Sequence, residues 1–164
     1  MSIPSPEATA AQVVRLLTQQ GRTLAVAESL TGGLLLATLV SVPGASKAVR
    51  GGVVAYATDL KATLLGVDVD LLARVGAVDL TVAEAMAVGV RSRLDADYGV
   101  STTGVAGPDP QDGHSVGTVF LGYCEHGRPS HAVQLPVPDD LTRDGIRRAT
   151  VAEALDLLVD QIGS

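Results

Sequence analysis

An apolar run that breaks at a polar, glycine-bearing turn and then resumes as a helix start limits the folds open to this chain more than any other feature. Leu24-Ala25-Val26 reads as buried strand, Ala27-Glu28-Ser29-Leu30-Thr31-Gly32-Gly33 as the turn, and Leu34-Leu35-Leu36-Ala37 as the start of a helix. A strand passing straight into a helix is the unit of an open α/β sheet, and such turns lie at the carboxyl edge, where ligands bind. The first N–H groups of a helix lack partners inside it, and glycines allow backbone to approach a ligand closely.

The rest of the chain repeats the alternation. Ser5-Pro6-Glu7 is a helix start, with Ser as N-cap and Pro in the first turn, and Gly21 closes that helix. A strand is expected over Thr23–Ala27 and a helix from Gly33 to Val42, stopped at Pro43-Gly44. Gly52–Tyr56 reads as a second strand, followed by a short helix capped by Thr58-Asp59 and carrying Lys61. Asp70–Val75 adds a short helix, and Thr81 with Glu84 forms a capping box for a longer one. Tyr98–Thr103 is a strand, and Gly104–Gly113 is a loop rich in Gly, Pro and Asp. Val116–Cys124 and Ser130–Val137 form a hairpin, and Leu141–Gln161 is the closing helix. The expected fold is a single three-layer α/β/α sandwich over residues 1–164, with a mixed, mostly parallel sheet.

Composition narrows the function. Aromatic residues make up only 2% of the chain, so a base-stacking platform for single-stranded nucleic acid is not expected. The net charge is −6 and the longest basic cluster is the pair Arg147-Arg148, which argues against a DNA-binding face. The lone Cys124 cannot form an internal disulfide, and the first residues show no signal-like pattern, so the expected compartment is the cytoplasm. No apolar run approaches the ~20 residues of a membrane span. An Ala-rich apolar surface is expected to pair into a homodimer.

Four loops hold polar residues that the fold does not require: Ser29/Thr31, Ser46/Lys47, Tyr56/Lys61, and Thr102/Thr103 with the loop after them. A lysine in the first turn of a helix is disfavoured by the dipole, and that field, like burial, lowers its pKa. A neutral lysine is a general base for a serine hydroxyl. Ser46, on the turn Pro43-Gly44-Ala45-Ser46, is a candidate nucleophile, although the ordinary reading is a turn serine and a solvated lysine. Thr103 and Gly104 open a loop that can wrap a ligand, or simply form a long turn. Asp109 and Asp112 lack a calcium-loop pattern, and the three histidines lack zinc spacing, so no metal is expected. Arg143, Arg147 and Arg148 oppose the dipole at the start of the last helix. Either an anionic ligand or a salt bridge to Asp139, Asp140 or Asp144 holds them there.

Six ordered segments, AESLTGG (27–33), VPGAS (42–46), GGVVAYATDLKATLLGV (51–67), GAV (76–78), TTGVAGPDPQDGHSVGTV (102–119) and TRDGIRRATVAEALDLL (142–158), resemble the CinA C-terminal domain family, the nicotinamide-nucleotide amidohydrolases. Leu30 stands where the family's usual motif has Cys, which argues against a thiol nucleophile. Leu141-Thr142-Arg143 keeps the Arg of the family's Gly-Asp-Arg without the preceding acid. The resemblance implies hydrolysis of the carboxamide of nicotinamide mononucleotide to nicotinic acid mononucleotide and ammonia, with no metal or organic cofactor. Many relatives carry a further N-terminal domain, whose pyrophosphatase activity is not carried over. On this reading Ser46 attacks, Lys61 takes its proton and Tyr56 relays or orients. Ser29, Thr31, Gly32, Gly33, Thr103 and Gly104 bind the carboxamide or oxyanion, and Arg143 binds the 5′-phosphate. Ser29 remains the alternative nucleophile. Two rivals are a non-catalytic nucleotide-binding or regulatory module of the same fold and a competence or DNA-repair interaction protein.

Overall fold

The computed structural model describes residues 5–138 and 140–164. One five-stranded sheet, ordered β2-β1-β3-β4-β5, is built from β1 (Leu24–Glu28), β2 (Val49–Val54), β3 (Tyr98–Gly104), β4 (Val119–Glu125) and β5 (His131–Gln134). β2, β1 and β3 run parallel, whereas β4 and β5 add as an antiparallel hairpin. This is the mixed, three-layer α/β arrangement that the alternation predicts.

Strand alternation sorts the core into two sides. Leu24 and Val26 of β1 join the cluster built with α1 (Pro6–Gln20), α2 (Leu34–Val40) and α6 (Arg143–Gly163). Ala25 and Ala27 face the other cluster, with α3 (Thr58–Leu65), α4 (Val69–Val75) and α5 (Leu80–Arg93). All five β1 residues are buried, as expected of a strand covered on both faces. The next two positions continue the alternation. Glu28 lies on the α2 side and Ser29 on the α3 side.

The helix ends follow local chemistry. Ser5 caps α1 by accepting the Ala8 N–H, and Gly21 closes it in a left-handed conformation. Asp79, not Thr81, is the N-cap of α5, with its carboxylate accepting the Thr81 N–H at 2.7 Å. The expected Thr81–Glu84 capping box therefore does not form, and Glu84 instead accepts a hydrogen bond from Ser130. Ala57 precedes α3 without a side-chain cap, so Thr58-Asp59 open the helix rather than cap it. β2 begins earlier than expected and stops at Val54, which leaves Tyr56 beyond the strand. Its Gly51-Gly52 pair is a weak strand signal, but pairing with β1 holds it in the sheet.

α5 lies unusually close to the sheet. A Cβ added at Gly99 would stand 2.2 Å from the Ala87 carbonyl oxygen, and one at Gly122 would stand 2.0 Å from that of Ala83. Ser101 Oγ donates to the same Ala83 carbonyl at 2.5 Å.

Candidate active site

The site begins at the carboxyl edge of β1. Glu28 is buried, and its two carboxylate oxygens accept the N–H groups of Leu35 (2.8 Å) and Leu36 (3.0 Å). The strand end is thereby tied to the first turn of α2. Between them, the Gly32 N–H donates to the Ser29 carbonyl at 3.0 Å, closing a tight turn. Gly32 and Gly33 take φ of 61° and 103°, which side chains with a Cβ rarely adopt. Ser29 N–H donates to Thr102 O of β3 at 3.0 Å, fixing the start of the turn against the sheet.

Lys61 enters from α3, whose apolar residues pack toward the α5 side of the sheet. Its side chain is fully buried. Nζ lies 3.0 Å from Ser29 Oγ and 2.8 Å from Ala55 O. Burial pushes the lysine pKa down to about 8, while the carboxylate of Asp112 pulls the other way. The cause is the cost of holding an ammonium out of water with no carboxylate in contact. A neutral amine keeps N–H groups and one lone pair. It can hold Ala55 O with an N–H and turn its lone pair to the Ser29 hydroxyl.

A cleft of about 610 Å³ opens over this pair, and Ser29, Tyr56, Thr103 and Arg143 contribute to its lining. Arg143 donates to Tyr56 Oη at 2.9 Å and to the carbonyl of Gly107, so it bridges α6, the segment after β2 and the loop after β3. That loop is anchored from its other side by Asp112, whose carboxylate accepts the Ala77 N–H at 2.9 Å. Two donors of the Arg143 guanidinium are used in these contacts, and the exposed remainder is available to an anion.

The expected site residues divide between the two edges of the sheet. Ser29, Tyr56, Lys61, Thr103, Gly104 and Arg143 meet at the carboxyl edge. Ser46 does not. It sits in a single 3-10 turn, Ala45–Lys47, before β2, where it is exposed and lines a separate shallow groove with Val42 and Arg50. β2 runs parallel to β1, so Ser46 lies at the amino edge, a strand length of roughly 15–20 Å from Ser29. The predicted Ser46–Lys61 pair therefore does not form; Ser29 takes that place.

Thr31 is buried with its hydroxyl on Thr102 Oγ1 at 2.7 Å, and Thr103 Oγ1 donates to Ala77 O at 2.7 Å. Both hydroxyls hold loops together. Arg148 pairs with Asp144 at 2.7 Å, the expected salt bridge, whereas Asp139 lies outside the described residues. Two contributors were missed from the sequence. The sequence pattern places Glu28 in the turn, although an acid ending an apolar strand before a helix start signals a backbone cap. Arg147 stands in the sequence as one of a basic trio, with nothing local to mark its backbone partners. Among the described residues no three His, Cys, Asp or Glu side chains group closely enough to hold a metal ion, and no helix is long and apolar enough to cross a membrane.

The family follows from nearly the whole length of the chain: residues 6–162 match the CinA C-terminal domain. The chain belongs to the CinA C-terminal domain family. A CinA-like protein of Frankia casuarinae is 54% identical over 147 residues, covering 89% of this chain and 33% of that protein. A CinA-like protein of Gloeobacter violaceus is 48% identical over 148 residues, covering 90% and 34%. The chain thus spans about a third of the length of these curated CinA relatives. Among solved structures, the competence/damage inducible protein CihA of Agrobacterium tumefaciens is 34% identical with a TM-score of 0.91, each chain covered at 100%. A CinA superfamily protein of Klebsiella pneumoniae is 25% identical with a TM-score of 0.92, over 98% of this chain and 99% of that one.

Proposed function

We propose that this CinA-family chain is an amidohydrolase that converts nicotinamide mononucleotide to nicotinic acid mononucleotide and ammonia, with Ser29 as nucleophile and Lys61 as its base. The observation that carries the reading is the buried Lys61 amine, with a pKa near 8, placed 3.0 Å from Ser29 Oγ in an open cleft. Such a lysine is costly to the fold and useful to acid–base chemistry.

The steps follow from these groups. Neutral Lys61 takes the Ser29 proton as Oγ bonds to the carboxamide carbon. The tetrahedral intermediate collapses, the C–N bond breaks, and Lys61 returns the proton to the departing nitrogen, releasing ammonia. A water then attacks the acyl ester as its proton passes to Lys61; the C–O bond to Ser29 breaks, Lys61 returns that proton to Ser29 Oγ, and the acid leaves as its carboxylate. Arg143 supports recognition of the 5′-phosphate through its remaining donors, and its bond to Tyr56 sets the orientation of both.

The test is ammonia release from nicotinamide mononucleotide by the wild-type chain. Release that disappears in Ser29→Ala and Lys61→Met supports the proposal. Tight binding of the mononucleotide without release would make the chain a nucleotide-binding module instead.

A further inference from the structure

The turn after Ser29 carries two buried N–H groups with no visible task. Leu30 is 5% exposed and Thr31 is fully buried. Among the described residues neither N–H has a hydrogen-bond partner. Buried backbone donors are rarely left in this state. The carbonyls of the same turn are engaged. Ser29 O accepts the Gly32 N–H at 3.0 Å, Leu30 O accepts Arg147 Nε at 2.9 Å, and Thr31 O accepts Arg147 Nη2 at 3.0 Å.

In a trans peptide the C=O and N–H point in opposite directions. The Ser29 carbonyl turns inward to Gly32, so the Leu30 N–H turns outward. The Leu30 carbonyl turns to Arg147, so the Thr31 N–H turns away from α6. We propose that the Leu30 N–H, at the wall of the cleft, is the oxyanion donor for attack by Ser29, and that Arg147 is the positioning residue that aims it by holding the turn. The inference rests on Ser29 as the nucleophile.

The arrangement uses Arg147 for its shape. Its fork takes two successive carbonyls of one turn from a helix that also carries Arg143. Its contact with Asp144, at 3.9 Å, is long, so the carbonyls are its main partners. Its Nη2 would lie 3.5 Å from a Cβ at Gly32, so the guanidinium rests directly on the turn. A lysine presents a compact charge without the fork, and it cannot hold both carbonyls in this geometry. An oxyanion donor aimed beforehand costs no rearrangement when charge develops, and losing one costs ~10²–10³ in rate.

The test is the rate at which a small alkyl fluorophosphonate labels Ser29 in wild type, Arg147→Lys and Arg147→Ala, alongside ammonia release from nicotinamide mononucleotide. The expected result is slower labelling, by ~10²–10³-fold in Arg147→Ala and about tenfold or more in Arg147→Lys. The pH midpoint of labelling, set by Lys61, stays near 8. For the amide, kcat falls while KM changes little. Should the alanine variant fail to fold, the lysine variant carries the test alone. Folded Arg147 variants that label at the wild-type rate overturn the inference, as does a rate loss that moves the pH midpoint or raises KM in step. Absence of labelling on wild-type Ser29 overturns the nucleophile and this inference together. Arg147-dependent labelling without ammonia release refutes the proposed substrate and leaves the oxyanion donor standing.

Discussion

Two serines of this chain sit on tight turns next to strands of one sheet, and their surroundings are opposite. Ser46, on a turn entered through Gly44 at φ 88°, precedes β2, faces solvent and borders a shallow groove. Ser29 follows β1, is 8% exposed and meets a buried amine. Turn rigidity is common to both, so it does not distinguish a nucleophile. Strand direction does. The helix after β2 starts at the carboxyl edge, and only a serine at that edge can meet a lysine on its first turn.

The largest effect expected at the carboxyl edge is that of Ser29→Ala, which should lower turnover about 10³-fold or more and abolish any acyl intermediate. Trapping an acyl group on Ser46 would reverse the assignment of the two edges. Lys61→Met should lower turnover by ~10²–10⁴ while leaving most substrate affinity, measured as kcat against KM. The same lysine gives a pH signature. Activity should rise with pH through about 8 as the amine becomes neutral. Stability should rise too. An unfolded lysine titrates near ~10.4, so the unfolded chain binds more protons between that value and the folded pKa of about 8. The burial cost, on the order of 3 kcal/mol, is fully present below pH 8 and fades above it. Chemical denaturation of wild type against Lys61→Met across this window should show the rise only in wild type.

Arg143→Ala should raise KM for the mononucleotide roughly 10–100-fold, the loss of a charge-assisted bond worth ~1.5–3 kcal/mol, and raise it far less for the dephosphorylated riboside. Equal loss on both would make Arg143 a bridge between α6 and the Gly107 loop and nothing more. The smallest effect belongs to the amino edge. Ser46→Ala should leave turnover within about twofold and stability within ~0.5 kcal/mol. A large loss there would mean that the two edges are coupled.

Much of this was legible in the residues. The strand–helix alternation, Lys61 on a first turn, and Arg143 at a helix start all follow from short-range pattern. The alternation along β1 even separates Glu28 from Ser29. The pairing of nucleophile and base was not legible in the same way. It depends on β2 running parallel to β1, which puts Ser46 at the far edge, and that is a tertiary fact. The capping of α5 failed for a local reason: Asp79 lies two residues before Thr81 and its carboxylate reaches the Thr81 N–H first. The role of Arg147 is not legible in the sequence because its partners are backbone carbonyls more than a hundred positions away, and no spacing pattern encodes them.

The glycines beneath α5 also govern how the molecule can move. A helix slides over a sheet when a layer of side chains lies between them and can re-seat in small steps. At Gly99 and Gly122 that layer is missing, backbone meets backbone, and Ser101 pins the Ala83 carbonyl to the sheet. Slip along this face is blocked, so α5 and the strands beneath it should open as one unit, with amide protons that exchange only on global unfolding. The loop between β3 and β4 lacks such a lock: side-chain bonds from Arg143 and to Asp112 tie it across the cleft, and breaking those two contacts is the expected route for a ligand to enter.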